Sequence, residues 1–168
     1  MTLTELNNAD ASHFVRVLGG VFEHSPWVAE EASKQRPFTS LADLHHAMVA
    51  ALSAADEAKQ LSLIRAHPDL AGKAALAGDL TADSKQEQMG AGLDRLSEEE
   101  YRRFHALNAA YKETFGFPFI IAVKGRDKES ILAAFEARQR NAPQAEKVRA
   151  LAEIAEIARF RLAALIGG

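Results

Sequence analysis

The sequence predicts an all-α protein, a single-domain bundle of about eight helices over residues 1–168 with one short extended segment near 119–123. Three observations carry that expectation. Alanine occurs 33 times against 14 for valine and isoleucine together, and alanine favours helix where β-branched residues favour sheet. Apolar residues recur at three- and four-residue spacing along most of the chain. Serine, aspartate, proline and glycine stand between those stretches, where helices start and stop. A chain of 168 residues can bury a real core without metal or disulfide.

Taken in order, Phe14, Val17, Leu18, Val21 and Phe22 form the first apolar stripe. Ser25-Pro26 reads as a cap with proline in the first helical turn, and the helix it opens should stop before Pro37. Ser40 and Asp43 suggest the next start, with Leu41, Leu44, Met48 and Leu52 as its inner face. Ser53 and Asp56 suggest another, carrying Leu61 and Ile64. It must end near His67, because Pro68 disfavours helical geometry at the residue before it. Residues 69–82 read as a loop with one short helical turn. Ser84 and Glu87 have capping-box spacing, as do Ser97 and Glu100. A long helix is expected from Glu98 to Thr114, closed by Gly116. Two more are expected over roughly 127–140 and 143–165.

Composition limits the function. Twenty basic residues against 23 acidic leave a net charge of −3, which argues against nucleic acid as a partner. Cysteine is absent, which excludes disulfides, thiol catalysis and cysteine-ligated metals. No segment approaches the roughly 18 apolar residues of a membrane span. Met1–Asp10 lacks the features of a secretory signal, so a cytoplasmic location is expected. His45-His46 diverge around a helix and cannot hold one metal together, and no metal-binding spacing is present.

Three places break the rules of a plain bundle. In His67-Pro68-Asp69-Leu70-Ala71-Gly72, a histidine ends a helix. It is either a C-terminal cap or a general acid, since its unperturbed pKa lies near neutrality. Ser84-Lys85-Gln86-Glu87-Gln88 is either a capping box or a helix start whose free N–H groups receive an anionic or carbonyl group. Phe115-Gly116-Phe117-Pro118-Phe119-Ile120-Ile121-Ala122-Val123 is either a buried connection or a backbone edge that reads a planar heterocycle. A fourth feature is Arg161. It shares the face of Ile154, Ile157, Ala158, Leu162 and Leu165, whereas Arg159 points the other way. A buried arginine needs an anionic partner, either a protein carboxylate or a substrate.

The three motifs, in this order and at this spacing, resemble the decarboxylases of 2-oxo-4-hydroxy-4-carboxy-5-ureidoimidazoline (OHCU), an intermediate of urate breakdown; the resemblance covers essentially the whole chain. It implies an all-α homodimer with no metal and no organic cofactor. It also implies stereospecific loss of carbon dioxide from OHCU to give (S)-allantoin. Carried onto this chain, it makes His67 the proton donor, Glu87 and Arg161 catalytic residues, and Pro68 a substrate contact. Ser84, Lys85, Gln86, Glu87 and Gln88 then bind substrate, as do Phe119, Ile120, Ile121, Ala122 and Val123.

Overall fold

A computed structural model describes every residue except 73, 74, 76 and 168. Among the described residues there are nine helices and no strand. They are α1 (Leu3–Asn8), α2 (Ala11–Leu18), α3 (Trp27–Ser33), α4 (Leu41–Ala54), α5 (Glu57–Ala66), α6 (Ala82–Gly90), α7 (Glu98–Phe115), α8 (Lys128–Arg138) and α9 (Pro143–Leu165). No helix among these residues is long and apolar enough to cross a membrane. The short turn expected within 69–82 falls partly on residues outside the described set.

The chain forms two compact units. One comprises Met1–Ala66 with Ile154–Gly168, and the other His67–Glu153. In the first, α3 packs on α2 and α4. Its core holds Leu6, Phe14, Leu18, Phe22, Val28, Leu44, Met48, Ile64, Ala158 and Leu162, all 1% exposed or less. The starts are specified locally. Thr2 and Glu5 form a capping box, and Asp10 and Ser40 each accept the N–H three residues on. Asp56 does the same for Lys59 at the head of α5. The expected cap at Ser25 does not form. Its hydroxyl donates to the Glu23 carbonyl (2.8 Å) and α3 starts at Trp27 without a side-chain cap.

The second unit is organised around α7. Ser97 and Glu100 close the expected capping box at its start, and Gly116 ends it in the left-handed region (φ 77°). Lys128 and Ser97 hold the Glu100 carboxyl down at about 2. Phe104, Asn108, Tyr111 and Phe115 are its buried residues. Their spacing of three and four places them on one face, so Asn108 and Tyr111, one turn apart, serve two different loops. Asp127 caps α8, which stops at Arg138, shorter than the expected helix to 140.

Candidate active site

The segment after α5 is shaped by side chains from α6 and α7. His67 is buried, as are Leu70, Ala71 and Gly72. Gln88 grips the backbone twice. Its Oε1 accepts the Ala71 N–H at 2.9 Å and its Nε2 donates to the Asp69 carbonyl at 3.3 Å. Asn108 Nδ2 donates to the Leu70 carbonyl at 2.8 Å, and Lys112 pairs with the Asp69 carboxylate at 2.7 Å. This binding holds Ala71 at φ 51°, a conformation that costs a non-glycine residue about 1–2 kcal/mol. Gly72 is required by contact, since a Cβ there would lie 2.7 Å from the Asp69 Cβ. His67 thus precedes a loop whose carbonyls and N–H groups are tied to two helices.

The helix bearing Glu87 starts earlier than the capping-box reading expects. Thr81 is the cap, and its hydroxyl accepts the Ser84 N–H at 3.2 Å. The Lys85 N–H bonds to the Thr81 carbonyl at 2.9 Å. The N–H groups of 84–88 are therefore inside the helix ladder and do not form a free anion site; Ser84 is the third helical residue, not the cap. What α6 presents is a face of side chains. Ser84 and Gln88 are buried, Glu87 is half-buried, and Lys85 and Gln86 are exposed. Lys85, Gln88, Met89, Ala71, Leu93 and Tyr101 line a cleft of about 610 Å³. The candidates of the first two motifs thus come together through Gln88, next in sequence to Glu87.

Segment 117–123 leaves Gly116 as a fully buried irregular connection. The Tyr111 ring packs against Phe115 (4.4 Å), Phe119 (5.3 Å) and Phe135 (5.9 Å). Phe119 stacks on Phe135 at 3.9 Å, and the Arg138 guanidinium lies 4.4 Å from the Phe119 ring. Arg138 bonds to Glu146 (2.9 Å) and donates to the Ile120 carbonyl at 2.6 Å. Glu146 also accepts from Tyr111 and from Asn141 (2.8 Å). Burial works to raise the Glu146 carboxyl, but hydrogen bonds from Arg138, Tyr111 and Asn141 outweigh it and hold it below its usual value. Burial, reinforced by the hydrogen bond to Glu146, pushes the Tyr111 phenol well up. The Ala122 N–H donates to Glu153 at 3.0 Å. Side chains buried in a packed aromatic cluster and backbone groups held by charged residues coexist in the same stretch.

Arg161 is buried, and Arg159 is exposed and paired with Glu156, as the periodicity predicts. Arg161 Nη1 donates to Glu23 Oε2 at 2.8 Å and to the Val21 carbonyl at 3.4 Å. A protein carboxylate compensates its charge within the first unit, whereas His67 and Glu87 belong to the second. Sequence reasoning missed Glu23. Its signal was an acidic residue directly after the apolar pair Val21-Phe22, in the link between α2 and α3. It also missed Asn108, Arg138, Glu146 and Glu153, polar residues on the inner faces of α7, α8 and α9. Among the described residues no three His, Asp or Glu side chains gather as a metal site.

A family model described as OHCU decarboxylase matches residues 7–163. The 2-oxo-4-hydroxy-4-carboxy-5-ureidoimidazoline decarboxylase of Haloferax volcanii is 44% identical over 97% of this chain and 95% of its own length. The mouse protein of the same name is 37% identical over 99% of this chain and 94% of its own. The uric acid degradation bifunctional protein of Bacillus subtilis is 46% identical, and this chain spans only 33% of that longer protein. A crystal structure of (S)-allantoin synthase superposes with a TM-score of 0.80 at 31% identity, covering 99% of this chain and 54% of the other. A crystal structure of OHCU decarboxylase in the presence of (S)-allantoin shares the fold, with a TM-score of 0.73 at 22% identity over 95% of this chain and all of the other.

Proposed function

The chain belongs to the OHCU decarboxylase family, and we propose from that membership that it converts OHCU to (S)-allantoin and carbon dioxide, with His67 as proton donor. The observation that carries the reading is the Gln88 clamp, which ties the loop after His67 to the face of α6 that bears Ser84 and Glu87.

In the reaction, the bond between the ring carbon and its carboxylate breaks and carbon dioxide leaves. The electron pair enters the conjugated imine and carbonyl of the substrate ring. A proton then adds from one face to the neighbouring ring carbon, which bears the ureido group, and fixes the S configuration, while the hydroxyl on the carbon that lost carbon dioxide gives up its proton and becomes a carbonyl. The substrate supplies its own electron sink, so the protein must position it, stabilise developing charge and deliver the proton. His67 delivers it from a histidine–proline junction that neighbouring helices hold in place. Glu87 orients a substrate hydroxyl or N–H and sets the protonation of His67. Pro68, Ser84, Lys85, Gln86 and Gln88 form one wall, and the backbone of 119–123 the other. Arg161, already balanced by Glu23, acts at most on orientation. A strong grip on the leaving carboxylate would stabilise the ground state and slow its loss. The enzyme works as a homodimer without metal or organic cofactor, as the family resemblance implies, and its proposed location is the cytoplasm.

The test is chiral detection of allantoin after adding the protein to freshly generated OHCU. Spontaneous decay gives racemic product, so an excess of the S enantiomer reports catalysis. His67→Ala should lower the rate by about 10²–10⁴-fold with an unchanged melt. Racemic product from the wild-type protein would refute the activity. A folded His67→Ala variant with normal turnover would refute only the proton donor. Sedimentation velocity tests the dimer.

A further inference from the structure

Two charged side chains act on neighbouring peptide units of the 119–123 segment. Arg138, on α8, donates to the Ile120 carbonyl at 2.6 Å. Glu153, on α9, accepts the Ala122 N–H at 3.0 Å. Both side chains are buried, at 7% exposure each, and each is held from behind. Glu146, fully buried, grips Arg138 through its Nε and Nη2, and Arg149 pairs with Glu153 at 2.7 Å.

The peptide units on either side of Ile121 are trans. In a trans unit the C=O and N–H point in opposite directions. With the Ile120 carbonyl turned to Arg138, the Ile121 N–H faces away from it. With the Ala122 N–H turned to Glu153, the Ile121 carbonyl faces away in turn. Ile121 is only 4% exposed, and among the described residues neither of its backbone groups has a hydrogen-bond partner. Buried backbone groups are rarely left so, because each has given up its hydrogen bonds to water. We propose that Arg138 and Glu153 are positioning residues. They fix the backbone of 120–122 so that Ile121 offers one donor and one acceptor side by side, a match for the N–H and C=O edge of a ureide or lactam. This rests on the reading that 119–123 binds substrate.

The experiment combines amide chemical shifts with steady-state kinetics on freshly generated OHCU. In the wild-type protein, titration with (S)-allantoin should shift the amides of 120–122. Glu153→Met removes the acceptor for Ala122. It should keep a cooperative melt while raising KM and lowering kcat/KM on the order of 10- to 100-fold, the loss expected from a misplaced contact. Glu153→Gln should restore most of it, because the amide oxygen still accepts from Ala122. Arg138→Lys should also raise KM, since one ammonium cannot serve Glu146 and the Ile120 carbonyl as a planar fork does. If Glu153→Met does not fold, Arg138→Lys and Glu153→Gln decide, with KM raised in the first and near normal in the second. Amides that shift in the wild type, together with an unchanged KM in Arg138→Lys and in any folded Glu153→Met, would overturn the positioning role alone. Amides of 120–122 that stay still while (S)-allantoin binds would overturn the binding reading and the positioning role together.

Discussion

Replacing Gln88 by methionine separates two roles that the sequence leaves merged. As a substrate contact, Gln88 would affect KM and leave stability alone. In the structure its amide is taken by the loop after His67, with Oε1 on the Ala71 N–H at 2.9 Å and Nε2 on the Asp69 carbonyl at 3.3 Å. Methionine keeps the volume and removes both bonds. The Ala71 N–H, on a residue 5% exposed, is then stranded at a cost of about 1–3 kcal/mol. The longer bond to the half-buried Asp69 adds about 0.5 kcal/mol, at the low end for a hydrogen bond. A total of about 1.5–3.5 kcal/mol corresponds to a drop in Tm of about 3–14 °C for a chain of this size. kcat should fall too, because the loop that begins at His67 loses its tie to α6. Gln88→Glu should lie between, keeping the acceptor for Ala71 and losing the donor to Asp69. Thermal melts monitored by circular dichroism, paired with initial rates, decide. A Gln88→Met protein with a Tm within about 1 °C of wild type and a raised KM would refute the clamp and restore the substrate contact.

Three further outcomes follow from particular contacts. Arg161→Ala should cost about 3–5 kcal/mol in urea denaturation, because it removes the cationic partner of Glu23, whose side chain is 1% exposed; Arg161→Met with Glu23→Leu should recover most of the loss, and Arg159→Ala should change little. Glu146 has a depressed carboxyl pKa, so the stability it contributes is present above the unfolded value and is lost as pH falls through the lower folded one. Melting temperature should therefore drop below about pH 4.5, the ordinary value, less steeply in Glu146→Gln; equal slopes in both proteins would count against it. Gly116→Ala should cost about 1–2 kcal/mol with normal kcat, since φ is 77° and a Cβ there meets nothing within 4 Å; an unchanged melt would show that the chain relaxes at that turn.

Helix starts and stops were legible wherever one residue decides them. Ser40, Ser97 with Glu100, and Gly116 act as their types predict, because a cap is a contact across three residues. Ser25 and Ser84 misled for the same reason. Either could cap by pattern, but Ser25 finds the Glu23 carbonyl and Thr81 starts α6 three residues ahead of Ser84. The inward turn of Arg161 was legible from the apolar set around it, and its partner was not, since Glu23 lies 138 residues away in sequence. Gln88 lay within a motif, but nothing local says that its amide faces Ala71 rather than a ligand. The beta-rich composition of 119–123 suggested extension, and among the described residues it has no partner strand; the Ile120 carbonyl bonds to Arg138 and the Ala122 N–H to Glu153 instead.

The buried charges of α9 make one argument together. Glu146, Glu153 and Arg161 are spaced by seven and eight residues, on the same inward face as Ala150, Ile154 and Leu162. Burying such groups costs several kcal/mol each, and an apolar residue of similar volume often gives equal or greater stability. Stability alone therefore does not account for them. Glu146 and Glu153 are explained instead by what they hold, the first through Arg138 and the Ile120 carbonyl, the second through the Ala122 N–H. An apolar core here would keep the fold and free the backbone of 120–122. The triple variant Arg138→Met, Glu146→Leu and Tyr111→Phe removes the charge pair together with the phenol that bonds to it, and the exposed Asn141 can turn to water. Its stability should fall by no more than the cost of stranding the Ile120 carbonyl, about 1–3 kcal/mol, while kcat/KM falls. A larger loss of stability with unchanged kcat/KM would mean that the pair serves stability after all.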